Sequence, residues 1–340
     1  QGVSSAASDV YKRQPLDTLY YPLTHRPTHL MPTTSATNHA PARANIMALG
    51  AIALWGSLAP LGVSLAEVPP FLLTGLGLLA GSVLGLGFAL WGRVSLRLPW
   101  RTLALGVYGL FGFHFLLFIA LRHAPPVQAN LVNYLWPLGI VLLAPLLLPG
   151  ARLRPGHVLA AGIGFGGAAL AILGGASGTG TQADASATQW GYAAAAASAC
   201  VWATYSLLTR RVAAFPTAAV GVFGLASGLL SLACHMLLEP ALDVDAHTLL
   251  LIAALGLGPL GGAFYLWDAA LKRGDARQIG LLSFLTPLLS TLGLLLQRGQ
   301  WPGLSIVLAA TMIVGAALLG AHASREDAAH ASQADVATDR

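Results

Sequence analysis

The run LFGFHFLLFIALRHAPPVQANLVNYLWPL, residues Leu110–Leu138, returns 150 residues later as LGGAFYLWDAALKRGDARQIGLLSFLTPL, residues Leu260–Leu288. Ten of the 29 ungapped positions are identical. Leucine, alanine and glycine match freely in such sequences, so the rarer pairs carry the weight: Gln128 with Gln278, and Pro137 with Pro287. At an offset of 147, Trp55 falls on Trp202 and Pro155-Gly156 on Pro302-Gly303. The chain is two copies of one unit. Each copy of the run is a pair of apolar segments joined by a short polar turn, the end of one helix and the start of the next, each of which extends beyond the run to the roughly 20 residues that cross a hydrocarbon core of about 30 Å.

Working outward, the rest of the chain has the same character. Hydrophobic residues make up 56% of the 340 positions before 39 glycines are added, and only 9% are charged, against about 25% in soluble domains. A soluble fold could not cover itself with so few polar residues, and disorder requires low hydrophobicity. Cys200 and Cys234 both lie in apolar runs, which excludes a disulfide framework or a thiolate metal cluster. Ten spans of about 20 residues fit between Ala44 and His322: 44–66, 70–92, 101–121, 126–148, 155–174, 190–209, 216–238, 247–271, 276–296 and 302–322.

The expected fold class is an all-α integral membrane protein, ten transmembrane helices arranged as an inverted-topology repeat of five plus five. Five is odd, so the second copy must cross upside down, as in many secondary transporters that hold substrate between their repeats. Residues 1–30 carry neither an initiator methionine nor a signal-peptide pattern; they are set aside as a non-native leader, with Met31 the expected start. Residues 31–43 then form an N-terminus, 44–174 the first repeat, 175–189 a linker loop, 190–322 the second repeat and 323–340 a polar, disordered tail. Outside the leader, thirteen of the fifteen basic residues lie on one side of this arrangement; only Arg122 and Arg298 lie on the other. Basic residues stay cytoplasmic, which places both termini inside. The net charge of +5 is a matter of topology and calls for no nucleic acid.

Several side chains stand out against the apolar background. Ser198, Trp202, Tyr205 and Thr209 recur at helical spacing, as do Ser283, Thr286 and Ser290, and Asn130 with Asn133. Polar faces avoid lipid and serve either to bond helices together or to line a wet pocket. His114 is an ionisable group near the middle of its span. It is either a candidate functional residue or a neutral imidazole bonded to a backbone carbonyl. Asp268 stands four residues before Lys272, a favourable helix pair, with a cytoplasmic gate or proton site as the alternative. Pro137 and Pro287 each remove a backbone donor within a span, marking helices that kink around a cavity or simply bend. Gly77, Gly81 and Gly85, and Gly162 with Gly166, form small-residue ridges for close helix packing. The substrate-binding candidates are Trp55, His114, Asn133, Tyr134, Trp136, Trp202, Tyr205, Tyr265, Ser283 and Thr286; Pro137, Pro287 and Asp268 are the gating and kink candidates.

Ten spans in an inverted repeat, NYLWP (Asn133–Pro137), FGFHF (Phe111–Phe115), ALRHAPP (Ala120–Pro126) and YLWDAALKRGD (Tyr265–Asp275) followed by LSFLTPLLSTL resemble the drug/metabolite transporter superfamily of the EamA type. Within it, these motifs are similar to the aromatic amino-acid exporters of the YddG type. The resemblance covers Ala44 to His322 and implies a basket of ten helices in the bacterial inner membrane, exporting aromatic and other neutral amino acids from a central cavity. Where family members often carry a glutamate, this chain has Gln128, so flux without proton coupling is the expectation. Other small metabolites or drugs remain open as substrates. An integral-membrane enzyme or a receptor is the weaker alternative, since no catalytic or metal-ligating constellation is visible. No cofactor and no metal are expected; the partners are the small-molecule substrate and membrane lipid, with the oligomeric state left open, a monomer included.

Overall fold

A computed structural model describes residues 39–175 and 185–338, and the described chain is helical apart from its turns and loops. The leader 1–30 and most of the 175–189 linker lie outside the described residues. In chain order the helices are α1 (Ala42–Ser64), α2 (Pro70–Trp91), α3 (Trp100–His123), α4 (Pro126–Leu147), α5 (Pro155–Leu173), α6 (Ala185–Leu208), α7 (Thr217–Leu238), α8 (Ala246–Arg273), α9 (Ala276–Gln297) and α10 (Leu304–Glu326). Among the described residues nine of them, all but α6, are long and apolar enough to cross a membrane. The sequence suggests ten. The difference is α6, which is 24 residues long but built on alanine, with Ser198, Thr204, Tyr205 and Ser206 diluting its apolar character.

Local chemistry sets the ends of these rods. Proline opens α2, α4 and α5, a position where its missing N–H would have had no intrahelical partner. Asp245 caps α8 by accepting from the Thr248 N–H at 2.7 Å, and Asp275 caps α9 by accepting from the Arg277 N–H at 2.9 Å.

The packing restates the repeat. Helix α2 packs chiefly on α7 and α5 on α10, while α1 packs on α8 and α9, and α3 and α4 both pack on α6. With α1 matching α6, α2 matching α7 and so on, each of these contacts maps onto itself or onto another of them when the two halves are exchanged. Irregularities repeat as well. A π-helical turn at Tyr108–Gly112 in α3 returns at Gly258–Gly262 in α8, each ending two residues before the counterparts His114 and Phe264. The chain turns out of helix at Tyr134–Leu135 in α4 and at Ser283–Phe284 in α9. Pro137 and Pro287 therefore stand in the first turn of a new helical segment, where a missing N–H is tolerated. They do not kink a continuous helix, as their mid-span positions suggest.

The glycine ridge of α2 is a packing surface. A Cβ on Gly81 would lie 2.7 Å from the Gly256 carbonyl oxygen and 2.8 Å from the Gly261 Cα, so only glycine lets α2 and α8 touch backbone to backbone. The second ridge holds only in part. Gly166 faces Met312 of α10 at 3.0 Å, whereas a Cβ on Gly162 would meet nothing within 4 Å.

Two polar clusters bind the ends of the bundle. At one end Glu239, whose side chain is fully buried, pairs with Arg122 at 3.0 Å and with the His235 ring at 3.0 Å. It also accepts from the Phe71 and Leu72 N–H groups that open α2, a helix start that favours a carboxylate. At the other end Arg277 pairs with Asp275 at 2.8 Å and donates to the Arg152 carbonyl. Ser324 donates to Asp275 at 2.9 Å and meets the His157 ring at 3.3 Å. Burial pushes the Asp275 carboxyl up, but the Arg277 guanidinium and the hydrogen bonds from Arg277 and Ser324 outweigh it and hold the group below its ordinary range. The final helix continues to Thr338, past residue 323 where composition alone suggests a disordered tail, and it is anchored through Ser324 and an Arg154–Glu326 pair at 3.3 Å.

Candidate functional site

Four indoles from four helices meet in the middle of the bundle: Trp55 of α1, Trp136 of α4, Trp202 of α6 and Trp267 of α8. Trp55 lies with its ring centroid 5.8 Å from that of Trp202, 6.2 Å from Trp136 and 5.2 Å from Trp267. Trp136 lies 5.5 Å from Trp267. Most of these contacts are edge-to-face or tilted, the arrangement that aromatic quadrupoles prefer. Phe264 closes the cluster, 5.5 Å from Trp202. Its repeat partner His114 is 6.2 Å away, so the two counterparts face each other.

Above this floor opens a cavity of about 510 Å³, inside the range of roughly 300–1,000 Å³ typical of small-molecule sites. Its walls include Leu58 of α1, Leu73 and Thr74 of α2, Phe113 and Phe118 of α3, Val127 and Asn130 of α4, and Ser290, Thr291, Leu294 and Arg298 of α9. The cavity therefore runs from the tryptophans to the end of the bundle where α4 begins and α9 finishes. Below the floor it is sealed. Trp267 Nε1 donates to Ser206 Oγ at 3.1 Å; Lys272 donates to the Asp268 carboxylate at 2.6 Å and to the Phe215 carbonyl at 2.9 Å.

Seven of the ten binding candidates lie on the cavity wall: Trp55, His114, Asn133, Tyr134, Trp136, Trp202 and Thr286. Two of them hold buried oxygens with no hydrogen-bond partner, Asn133 Oδ1 and Thr286 Oγ1. A buried acceptor left unmade costs about 1–3 kcal/mol, and at a cavity wall such atoms are where a ligand gains most. The His114 imidazole is bonded through Nδ1 to the Leu110 carbonyl at 2.6 Å, so one ring nitrogen serves its own helix.

Three candidates stand elsewhere. Tyr205 packs beneath Trp202, against the backbone at Gly109. Ser283 bonds its own helix at the Gly280 carbonyl, 2.5 Å away. Tyr265 inserts its hydroxyl into α2, donating to the Gly81 carbonyl at 3.0 Å and accepting from the Gly85 N–H at 2.9 Å. None of the three lines the cavity. Pro287 does, whereas Pro137 and Asp268 do not. Gln128 is exposed and off the cavity wall, so its loss of a carboxylate says nothing about the cavity itself. Sequence reading missed Trp267, Phe113, Phe118 and Arg298. Trp267 stands within YLWDAALKRGD, and an indole in a span that meets Trp55 through α8 was the available signal.

The comparisons with known proteins fit this arrangement. The model of the EamA-like transporter family matches residues 42–173 and again 189–320, two copies whose starts are 147 residues apart, the offset that brings Trp55 onto Trp202. The aromatic amino acid exporter YddG of Ancylobacter novellus is 44% identical over 277 residues, covering 81% of this chain and 95% of that protein. A solved crystal structure superposes with a TM-score of 0.78 at 43% identity, covering 84% of this chain and 99% of that one. Sequence repeat, exchange-symmetric packing and a double match over most of the length agree: the chain belongs to the EamA-like transporter family.

Proposed function

We propose that this chain is a secondary transporter of ten membrane-crossing helices, five plus five, that exports aromatic and other neutral amino acids from the cytoplasm across the inner membrane. The observation that carries the substrate class is the cavity: three indoles on its floor and two unpartnered oxygens, Asn133 Oδ1 and Thr286 Oγ1, beside them. Indoles offer a flat apolar surface to an aromatic side chain, and the amide and hydroxyl offer bonds to an amino-acid head group. Among the described residues no carboxylate lines the cavity, which disfavours strongly cationic cargo. The name of the Ancylobacter relative agrees with this reading.

Helix α6 completes the count. Its 24 residues span about 36 Å, it occupies the place in the second repeat that α1 holds in the first, and its Trp202 meets Trp55 at 5.8 Å. The basic residues then set the direction: the Arg122 and Arg298 end faces outward and both termini lie inside. On that orientation the cavity is open to the outside and the tryptophan floor, with the Asp268–Lys272 pair beneath it, is the closed cytoplasmic gate. The test is uptake of labelled phenylalanine, tryptophan, threonine and methionine into proteoliposomes holding the purified protein. Saturable, mutually competitive uptake led by the aromatic substrates is expected. Uptake of none of them by well-folded protein would overturn the reading.

A further inference from the structure

Two arginines stand at the outer end of the bundle, and they are not alike. Arg122 is neutralised: its guanidinium lies 3.0 Å from the Glu239 carboxylate and over the Phe71 ring at 5.7 Å. Arg298 is exposed, lines the cavity, and among the described residues has no carboxylate within ion-pair distance. Among the described residues it is the one permanent cation on a cavity wall that holds no acidic residue, and His114 is the only other ionisable basic group there.

The placement of Arg298 follows from α9. Thr286, Ser290, Thr291 and Arg298 are spaced at i, i+4, i+5 and i+12, which spreads them over about 140° of the helix, and all four line the cavity. Thr286 and Arg298 are therefore about 18 Å apart along the axis. Ser290 and Thr291 are occupied, donating to the Gly56 carbonyl at 3.1 Å and to the Ala171 carbonyl at 3.4 Å. Only the two ends of the rail are open to a ligand: the unpartnered Thr286 oxygen at the floor and the guanidinium at the rim. One amino acid is too short to touch both. The rim charge must act on a substrate before it reaches the floor or after it leaves.

We propose that Arg298 is a specificity-determining residue at the outer mouth, a steering charge for the carboxylate of an amino acid passing between the cavity and the outside. The assignment rests on the amino-acid reading above and names the group that the mouth recognises. An exposed charge at the rim of a low-dielectric cleft acts through the rate of encounter and is screened by salt. It therefore favours zwitterions and anions over amines of the same shape, and it acts in both directions of passage.

Stopped-flow tryptophan fluorescence on the purified protein tests this, because Trp55, Trp136 and Trp202 line the cavity and report its occupation. The probes are phenylalanine and phenethylamine, which has the same ring and ammonium group but no carboxylate. In low salt, Arg298→Gln is expected to slow phenylalanine association by about three- to ten-fold, Arg298→Lys to keep it near the wild-type rate, and neither to slow phenethylamine. The gap between wild type and Arg298→Gln should close at high salt. Equal association rates for phenylalanine in wild type and Arg298→Gln would overturn the proposal, as would an equal slowing of both probes, which marks a structural defect. A wild-type protein that gives no signal with phenylalanine in either salt would sink the substrate reading and the proposal with it; the wild-type trace tells that outcome from the others.

Discussion

The chemistry of the site comes down to which polar atoms are already spoken for. Asn133 and Ser283 are repeat counterparts, yet Asn133 Oδ1 is unpartnered beside the cavity while Ser283 is bonded to Gly280. Trp136 and Thr286 are counterparts too, and both line the wall. Every amino acid brings the same head group, so Asn133→Ala is expected to weaken transport of phenylalanine, tryptophan and threonine by a similar factor, about 3- to 10-fold for one lost hydrogen bond. Initial rates per folded protein check this; a loss confined to the aromatic substrates would move the head group elsewhere. The wall residues at Asn133, Trp136, Trp202 and Thr286 could be picked out from helical spacing alone. Tyr205, Tyr265 and Ser283 could not be told from them, because spacing gives a face and not what that face meets. Tyr265 meets the α2 backbone 184 residues away in sequence, and no local pattern records that.

At the scale of elements, glycine and acid placement govern how closely the rods meet and how they end. The atoms facing Gly81 are the backbone of Gly256 and Gly261, which cannot rotate aside. Gly81→Ala should therefore cost about 1–3 kcal/mol from overpacking, seen as a lowered melting temperature in detergent, while Gly162→Ala, which meets nothing, should leave it unchanged. An unchanged melting temperature for Gly81→Ala would mean that α2 and α8 are not in backbone contact. Asp275 joins α8, α9 and α10, and its carboxyl is held below the ordinary range. A depressed acid stabilises the fold above its unfolded value of about 3.9 and loses that advantage as pH falls through the folded value. Asp275→Asn should destabilise by about 1–2 kcal/mol at pH 7, allowing for partial exposure, and the difference from wild type should shrink as pH is lowered from 7 to about 3. A difference of equal size at both pH values would remove the charge from the account. The repeat was visible in sequence because glutamine and proline are rare in such runs. The π turns and the helix breaks were not visible, since a proline marks a disturbance without saying whether the helix bends or restarts. Glu239 was also hidden, because its partners Phe71 and Arg122 lie 168 and 117 residues away.

For the whole molecule, the repeat-related packing and the tryptophan floor place the cavity toward the Arg298 end. Among the described residues no carboxylate lines that cavity, and His114 is tied to the Leu110 carbonyl, so none of them stands ready there as an acid to carry a proton with the substrate. Collapsing the pH gradient across proteoliposomes should leave the initial flux nearly unchanged; a strict dependence would make His114 or Asp268 a coupling site. In the proposed function, the indole floor selects the aromatic cargo. The most direct measurement is the ratio of tryptophan to threonine flux, per folded protein, in Trp202→Ala against wild type. An aromatic contact adds about 0.5–1.5 kcal/mol beyond area burial, roughly two- to twelve-fold, so the ratio should fall by that factor. A ratio that stays at the wild-type value, with both fluxes reduced alike, would contradict it.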